Sequence, residues 1–227
     1  MGQTQTDEIR LVDTALLPGG GLLRLLECEG EFSIELENEE LMGTTDHVSE
    51  EALATLAAER LESLDGRILI GGLGMGFTLG AALKAWGPDA RICVAELVPE
   101  IIAWARGPLA HVFGDKLSDP RVSIALTDVH DVIAGTRDQF DAILLDVDNG
   151  PDGFVQAAND RLYGRQGLLS AHAALRPGGV LAVWSADPDD AFLALLQQLP
   201  FAVDEVRVPA FVGSTTEEHC IWFASKA

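Results

Sequence analysis

The chain has 227 residues, 48% hydrophobic and 22% charged, which is enough for one α/β domain with a full core and no disulfide or metal staples. Thirty-six acidic residues against fifteen basic ones give a formal net charge of −21. Such a surface repels phosphate backbones and argues against nucleic acid as the main partner; the excess acid reads first as a solvated, soluble face, and alternatively as a field that favours a cationic small molecule. Cys28, Cys93 and Cys220 are too scattered for a disulfide framework, and the first ten residues, MGQTQTDEIR, lack the apolar stretch of a signal peptide. The longest uncharged run, 68–83, carries five glycines and falls short of the roughly 20 apolar residues of a membrane span. A cytoplasmic protein with no membrane partner is expected.

Taken in chain order, residues 1–12 show no pattern and read as loose. From 21 to 41, two strand-like runs flank Glu29-Gly30, predicting a β-hairpin with glycine in the turn. Ser49 reads as the N-cap of a helix carrying Leu53, Leu56, Ala57, Leu61 and Leu64 at helical spacing, stopped by Asp65-Gly66. The chain is thus divided into a tail with a small hairpin subdomain, 1–48, and a larger domain, 49–227.

In the larger domain strands and helices alternate. Apolar strands are predicted at 67–73, 91–97, 122–127, 140–146 and 179–185. Helices are predicted at 77–86, 99–112 (broken near Gly107-Pro108), near Asp131, at 154–175 and at 189–199. Strands this apolar are buried on both faces, as in a parallel sheet covered by helices. FAVDEVRVPAF and EEHCIWFASKA leave no room for a helix between them and call for an antiparallel C-terminal hairpin. A mostly parallel seven-stranded sheet ending in such a hairpin is the Rossmann-like methyltransferase fold.

The strongest local signal is ILIGGLGMG at 68–76, a buried strand running into a glycine turn that opens a helix. Gly71, Gly72, Gly74 and Gly76 let the backbone approach a ligand closely. Glu96 ends the next strand, twenty residues beyond Gly76, where an acid can accept ribose hydroxyls. Leu97 stands beside it. A packing turn with a surface glutamate is the plainer alternative. For a dinucleotide fingerprint the third glycine falls on Phe77 or Leu79 instead, so a sulfonium nucleoside of the S-adenosylmethionine type fits better than NAD. Asp128, with Val129 next to it, can meet the adenine amino group or simply cap the following short helix. After the fourth strand, Asp146 and Asp148 would point to one side, and two neighbouring acids raise one another's pKa, which suits a proton acceptor.

None of the five histidines has metal-ligand spacing with another, so no metal is expected. His111, His172 and His219 read as structural, His47 and His130 as exposed or capping. Cys93 and Cys220 read as small buried hydrophobes, and the four tryptophans as core.

Through ILIGGLGMG, VAELVPEII, DPRVSIALTD, FDAILLDVDNGP and LRPGGVLAVWS, the stretch 32–225 resembles the spermidine synthase-like, polyamine aminopropyltransferase-like branch of the S-adenosylmethionine-dependent methyltransferase-fold superfamily. The resemblance implies that Glu96 binds ribose, that Asp128 meets the adenine side, and that Asp146 accepts the proton of the attacking amine with Asp148 in reserve. Asp148, Asn149 and Tyr163 would contact the acceptor. It also implies association into a homodimer through the N-terminal region. The chain departs from the family at several places. The acid of its G-G-G-D-G loop is Gly74, the second acid of D-x-x-D-P is Asn149 with Asp148 one place early, the acid two places after the ribose glutamate is Val98, and Thr44-Thr45-Asp46-His47 replaces Tyr-His-Glu. These departures set methyl transfer from S-adenosylmethionine slightly ahead of aminopropyl transfer from its decarboxylated form. A small, cationic amine is the expected acceptor in both. A nicotinamide-dependent oxidoreductase and a non-catalytic nucleoside-binding relative are the other readings.

Overall fold

The computed structural model describes residues 9–18, 20–147, 150–151 and 161–227. It contains two sheets. The first has four antiparallel strands in the order β1 (Arg10–Leu16), β2 (Leu22–Cys28), β3 (Glu31–Leu36), β4 (Glu39–Gly43). The predicted hairpin is its centre: Glu29 and Gly30 turn between β2 and β3 with φ of 53° and 90°, as a tight right-twisted connection requires. β1 was not foreseen, because Asp13 interrupts its apolar pattern. That carboxylate accepts a hydrogen bond from Trp104 Nε1 at 2.8 Å, and the register shifts between Leu11 and Asp13, so a tertiary contact accommodates a charge that reads as loop. The sheet's inner face (Ala15, Leu23, Leu25, Ile34, Leu36) joins one continuous apolar cluster with the rest of the protein.

Helix α1 (Val48–Ala58) follows. Its N-cap is His47, which makes no side-chain capping bond. Ser49, the expected cap, lies inside the first turn because its hydroxyl has better partners elsewhere, described below. The helix ends before Leu61 and Leu64: Arg60 reaches back to the Leu56 carbonyl at 2.9 Å, satisfying one of the helix's last acceptors, and lays its guanidinium over Phe223.

The second sheet has seven strands: β5 (Arg67–Gly71), β6 (Arg91–Glu96), β7 (Val122–Leu126), β8 (Phe140–Leu145), β9 (Leu175–Ser185), β10 (Ala202–Pro209) and β11 (Glu218–Ser225). Their order is β10-β11-β9-β8-β5-β6-β7. β5 to β9 run parallel, and β11 lies antiparallel to both β9 and β10. Side chains alternate across it: Ile68, Ile70, Ala142 and Leu144 face the cluster shared with α1, α2 (Phe77–Ala85) and α3 (Pro99–Arg106). Leu69, Ile143, Leu145 and Leu181 face the other cluster, under α5 (Val129–Ala134), α6 (Arg165–Ala174) and α7 (Asp190–Gln197). The predicted break near Gly107-Pro108 separates α3 from the short α4 (Ala110–Phe113). Of the helix predicted at 154–175, residues 161–163 are helical and α6 follows after a break at Gly164, and β9 starts at Leu175 rather than at 179.

The chain passes from β5 outward to β6 and β7, then returns to the other side of β5 at β8. The crevice at this reversal, outside the carboxyl ends of β5 and β8, is where open α/β sheets take ligands.

Candidate active site

Parallel register brings the site residues together. Gly71 pairs with Ala95 on one side and Leu145 on the other, and Glu96 pairs with Leu126. The residues that follow these pairs therefore leave the sheet at one height, although Gly72 and Asp146 are 74 places apart. Hydrogen bonds extend the ladder one step further, with Asp146 N donating to Gly71 O at 3.1 Å and Thr127 N to Glu96 O at 2.9 Å.

Above these ends lies a pocket of about 980 Å³, counting its open mouth. Gly72, Gly74, Glu96, Asp128 and Asp146 are on its wall, together with Leu97, Val129, Val147 and Leu162. The opposite wall comes from the N-terminal sheet: Leu17, Leu23, Ile34, Leu41 and Met42. Gly72 is required by the backbone it faces, and Gly74 is favoured by its positive φ. A Cβ at Gly72 (φ 87°) would stand 2.2 Å from the Asp146 carbonyl oxygen, and one at Gly74 (φ 47°) would stand 2.8 Å from Met42 Sδ. An acid at 74, where the resemblance places one, would be strained by the positive φ, and the end of the Met42 side chain would have to move aside for it. Gly71 packs on Val129 and Leu145, and Gly76 caps α2 in the left-handed conformation against Phe113. Neither is on the pocket wall.

Glu96 is 6% exposed. Its Oε2 accepts from Leu73 N at 2.8 Å and its Oε1 from Val98 N at 2.7 Å. The carboxylate is therefore fixed in orientation by two backbone donors. Asp128 caps α5 through His130 N at 2.8 Å and also lines the pocket, so the two roles weighed from sequence share one side chain. Arg161 approaches it from outside, with Nη1 3.7 Å from Asp128 Oδ2 and Nη2 bonded to Asp131 and His130.

Asp146 sits deep in the pocket floor with part of its surface on the cavity. Thr78 Oγ1 lies 2.5 Å from its Oδ2. Burial first, and the nearby Glu50 carboxylate second, push its carboxyl up to about 7, while the Thr78 hydroxyl pulls the other way. An aspartate so placed can exchange a proton at neutral pH.

Asp148 and Asn149 lie outside the described residues. Tyr163 does not reach the pocket. It is 3% exposed, packs edge-on against Phe192 and donates to the Val147 carbonyl at 3.4 Å; its neighbour Leu162 holds the wall position. Helix phase decides this, since adjacent residues point about 100° apart. His47 stacks on Phe77, with centroids 4.2 Å apart. Burial pushes the Cys220 thiol up to about 12, so it is not a thiolate nucleophile. Among the described residues no cluster of His, Cys, Asp and Glu could hold a metal ion, and no helix is long and apolar enough to cross a membrane. Sequence reasoning missed Thr78, Glu50 and Ser49, and read His219 as merely structural. None lies in a recognisable motif, and only the packing of α1, α2 and β11 assembles them.

No family model matches the chain. Its sequence is 31% identical over 160 residues to polyamine aminopropyltransferase 2 of Pseudomonas aeruginosa, covering 65% of this chain and 44% of that protein. It is 35% identical over 98 residues to polyamine aminopropyltransferase of Nitrosomonas europaea, covering 43% of this chain and 29% of that protein. The chain thus matches less than half the length of these curated relatives. Among solved structures, spermidine synthase from Thermotoga maritima superimposes with a TM-score of 0.78 at 19% identity, over 96% of this chain and 73% of that one. The fold is the spermidine synthase-like form of the methyltransferase fold, as the sequence motifs implied.

Proposed function

We propose that this protein is a sulfonium-donor alkyltransferase of the aminopropyl-transferring kind, taking decarboxylated S-adenosylmethionine as donor and a small amine as acceptor. The observation that carries it is the placement of Asp146, a carboxyl poised near neutrality, on the wall of the pocket that Glu96 and Asp128 also line. The names of the sequence relatives support the same reading, and they reverse the order set by sequence alone, which put methyl transfer first. The lining chemistry agrees. Among the described residues the ionisable groups on the wall are Glu96, Asp128 and Asp146, with no lysine or arginine. Three acids and no base suit a donor that carries an amine and has lost its carboxylate.

The residues present fit such a nucleoside. Gly72 and Gly74 leave bare backbone at the strand end, and Glu96 is held where ribose hydroxyls can donate to it. Asp128 would meet the adenine edge. A bound sulfonium donor supplies a carbon that is already electrophilic, so the protein's task is alignment and proton removal. Asp146 takes that proton, because an amine is mostly protonated at pH 7 and cannot attack until it is lost.

Calorimetry with both donors tests this. Decarboxylated S-adenosylmethionine is expected to bind at least about tenfold more tightly, a difference of about 1.4 kcal/mol. Tighter binding of S-adenosylmethionine, with methylated amine as product, would restore methyl transfer. Tight binding of NAD, or donor binding with no product across a panel of amines, would point to the oxidoreductase or the non-catalytic reading.

A homodimer in the cytoplasm is part of the proposal. Leu11, Leu16 and Leu22 are 55%, 75% and 38% exposed on β1 and β2, and among the described residues β1 is an unpaired edge of its sheet. Sedimentation at low micromolar concentration is expected to show twice the chain mass; a single 24.2 kDa species would reject the dimer.

A further inference from the structure

Behind the pocket floor, four elements converge on one polar cluster. Thr78, in the first turn of α2 and 3% exposed, places its hydroxyl between the Asp146 carboxyl (2.5 Å) and the backbone carbonyl of Glu50 (3.3 Å). The Glu50 side chain lies in the first turn of α1, with Oε2 2.6 Å from Ser49 Oγ. Ser49 is completely buried, and its Oγ lies 2.9 Å from His219 Nδ1 on β11. The edge of Trp184 on β9 closes the far side of the His219 ring.

Hydrogen counting gives this cluster a direction. Ser49 has one hydroxyl hydrogen. Donating it to Glu50 favours the anion of that side chain against burial, which pushes its carboxyl up, and Ser49 then accepts from an Nδ1–H of His219. Thr78 also has one hydrogen, but it serves either form of Asp146. With Asp146 ionised, Thr78 donates to it. With Asp146 protonated, the acid donates to Thr78 Oγ1, and the Thr78 hydrogen turns to the Glu50 carbonyl. A proton gained by Asp146 therefore leaves no buried group unsatisfied, which would otherwise cost about 1–3 kcal/mol.

We propose that Glu50 is a positioning residue for Asp146: its carboxyl, set behind Asp146 in the turn whose backbone carbonyl takes the Thr78 hydroxyl, raises the proton affinity of Asp146 as an anion, and the Ser49–His219 arm holds the Glu50 side chain in place. This rests on the reading of Asp146 as the proton acceptor. An ordinary aspartate is a poor acceptor from an ammonium, and a neighbouring fixed anion makes it a better one. Among the described residues, the charged groups facing Glu50 are Asp46 and His47, with Asp146 behind, and those facing His219 are Asp187 and Glu217. Among the described residues, no cation acts on the Asp146 carboxyl to offset Glu50.

Infrared titration of the carboxylic C=O band in the free protein tests the proposal without requiring turnover, with Asp146→Asn identifying the band. Glu50→Gln is expected to move the Asp146 midpoint down by about one pH unit, the scale at which two carboxyls titrate as a pair. The acidic limb of kcat/KM should move with it. Thr78→Val, which removes a donor to the anion, is expected to move both up. A Glu50→Gln midpoint that stays in place or rises, in a folded variant, overturns the proposal. If Glu50→Gln fails to fold, Glu50→Ala carries the same expectation. The predicted infrared shifts in a protein that transfers nothing to any amine would uphold the pairing and overturn the function. An unshifted midpoint in an active enzyme would do the reverse.

Discussion

Asp146→Asn is expected to lower turnover by about 10²–10⁴-fold, the usual size of a general-base contribution, with little change in donor affinity. The amide keeps the shape of the side chain and still accepts from Thr78 Oγ1, but it cannot take a proton at neutral pH. Single-turnover kinetics beside donor calorimetry would check both halves. Near-normal turnover would remove Asp146 as the base and direct attention to Asp148→Asn. Loss of donor binding together with turnover would make Asp146 a donor-site residue instead.

The same variant carries a stability signature whose sign follows from linkage. Asp146 is raised from 3.8 to about 7 in the folded chain, chiefly by burial and next by Glu50. Between those values the folded state holds a proton that the unfolded state has released. The contribution of Asp146 to stability is therefore complete below about pH 4 and is lost as pH rises toward 7. Asparagine stays neutral throughout. Asp146→Asn is expected to melt above the parent at pH 8, with the difference shrinking toward pH 4. A variant that melts lower at pH 8 than the parent would contradict the raised value.

The second large effect is expected at Glu96. Glu96→Ala should weaken donor binding by about 1.5–3 kcal/mol, the range for a hydrogen bond to a charged group. It should also destabilise the chain, because the buried N–H groups of Leu73 and Val98 both lose their acceptor; each unsatisfied donor costs about 1–3 kcal/mol. The two effects separate under titration at a temperature well below the melting point. A donor dissociation constant within twofold of the parent, in folded protein, would take Glu96 out of the site and leave it a purely structural anchor of the glycine loop.

Strand β5, its glycine turn, the acid ending β6 and the C-terminal hairpin were legible as sequence because each is written locally. A run of apolar residues fully buried in a parallel sheet, glycines where φ must be positive, and an acid at a strand end are readable within about ten residues. The ends of elements were less so. Asp13 disguised β1 because its partner, the Trp104 indole, is 91 residues away. Ser49 looked like a cap because capping is what a serine does before an acidic helical turn when nothing else competes.

By itself, the sequence determined the fold class, a pocket at the β5–β8 reversal and the acids Glu96, Asp128 and Asp146 around it, since all of these follow from periodicity and from where a doubly wound sheet exposes its strand ends. Only the tertiary structure decided that Tyr163 turns into the core while Leu162 faces the cavity, that the end of Met42 lies against Gly74, and that Thr78, Glu50, Ser49 and His219 gather behind Asp146. Those outcomes depend on helix phase, on sheet register and on the packing of elements from both ends of the chain. Ser49 and His219 stand 170 residues apart, and no local pattern records a contact of that range.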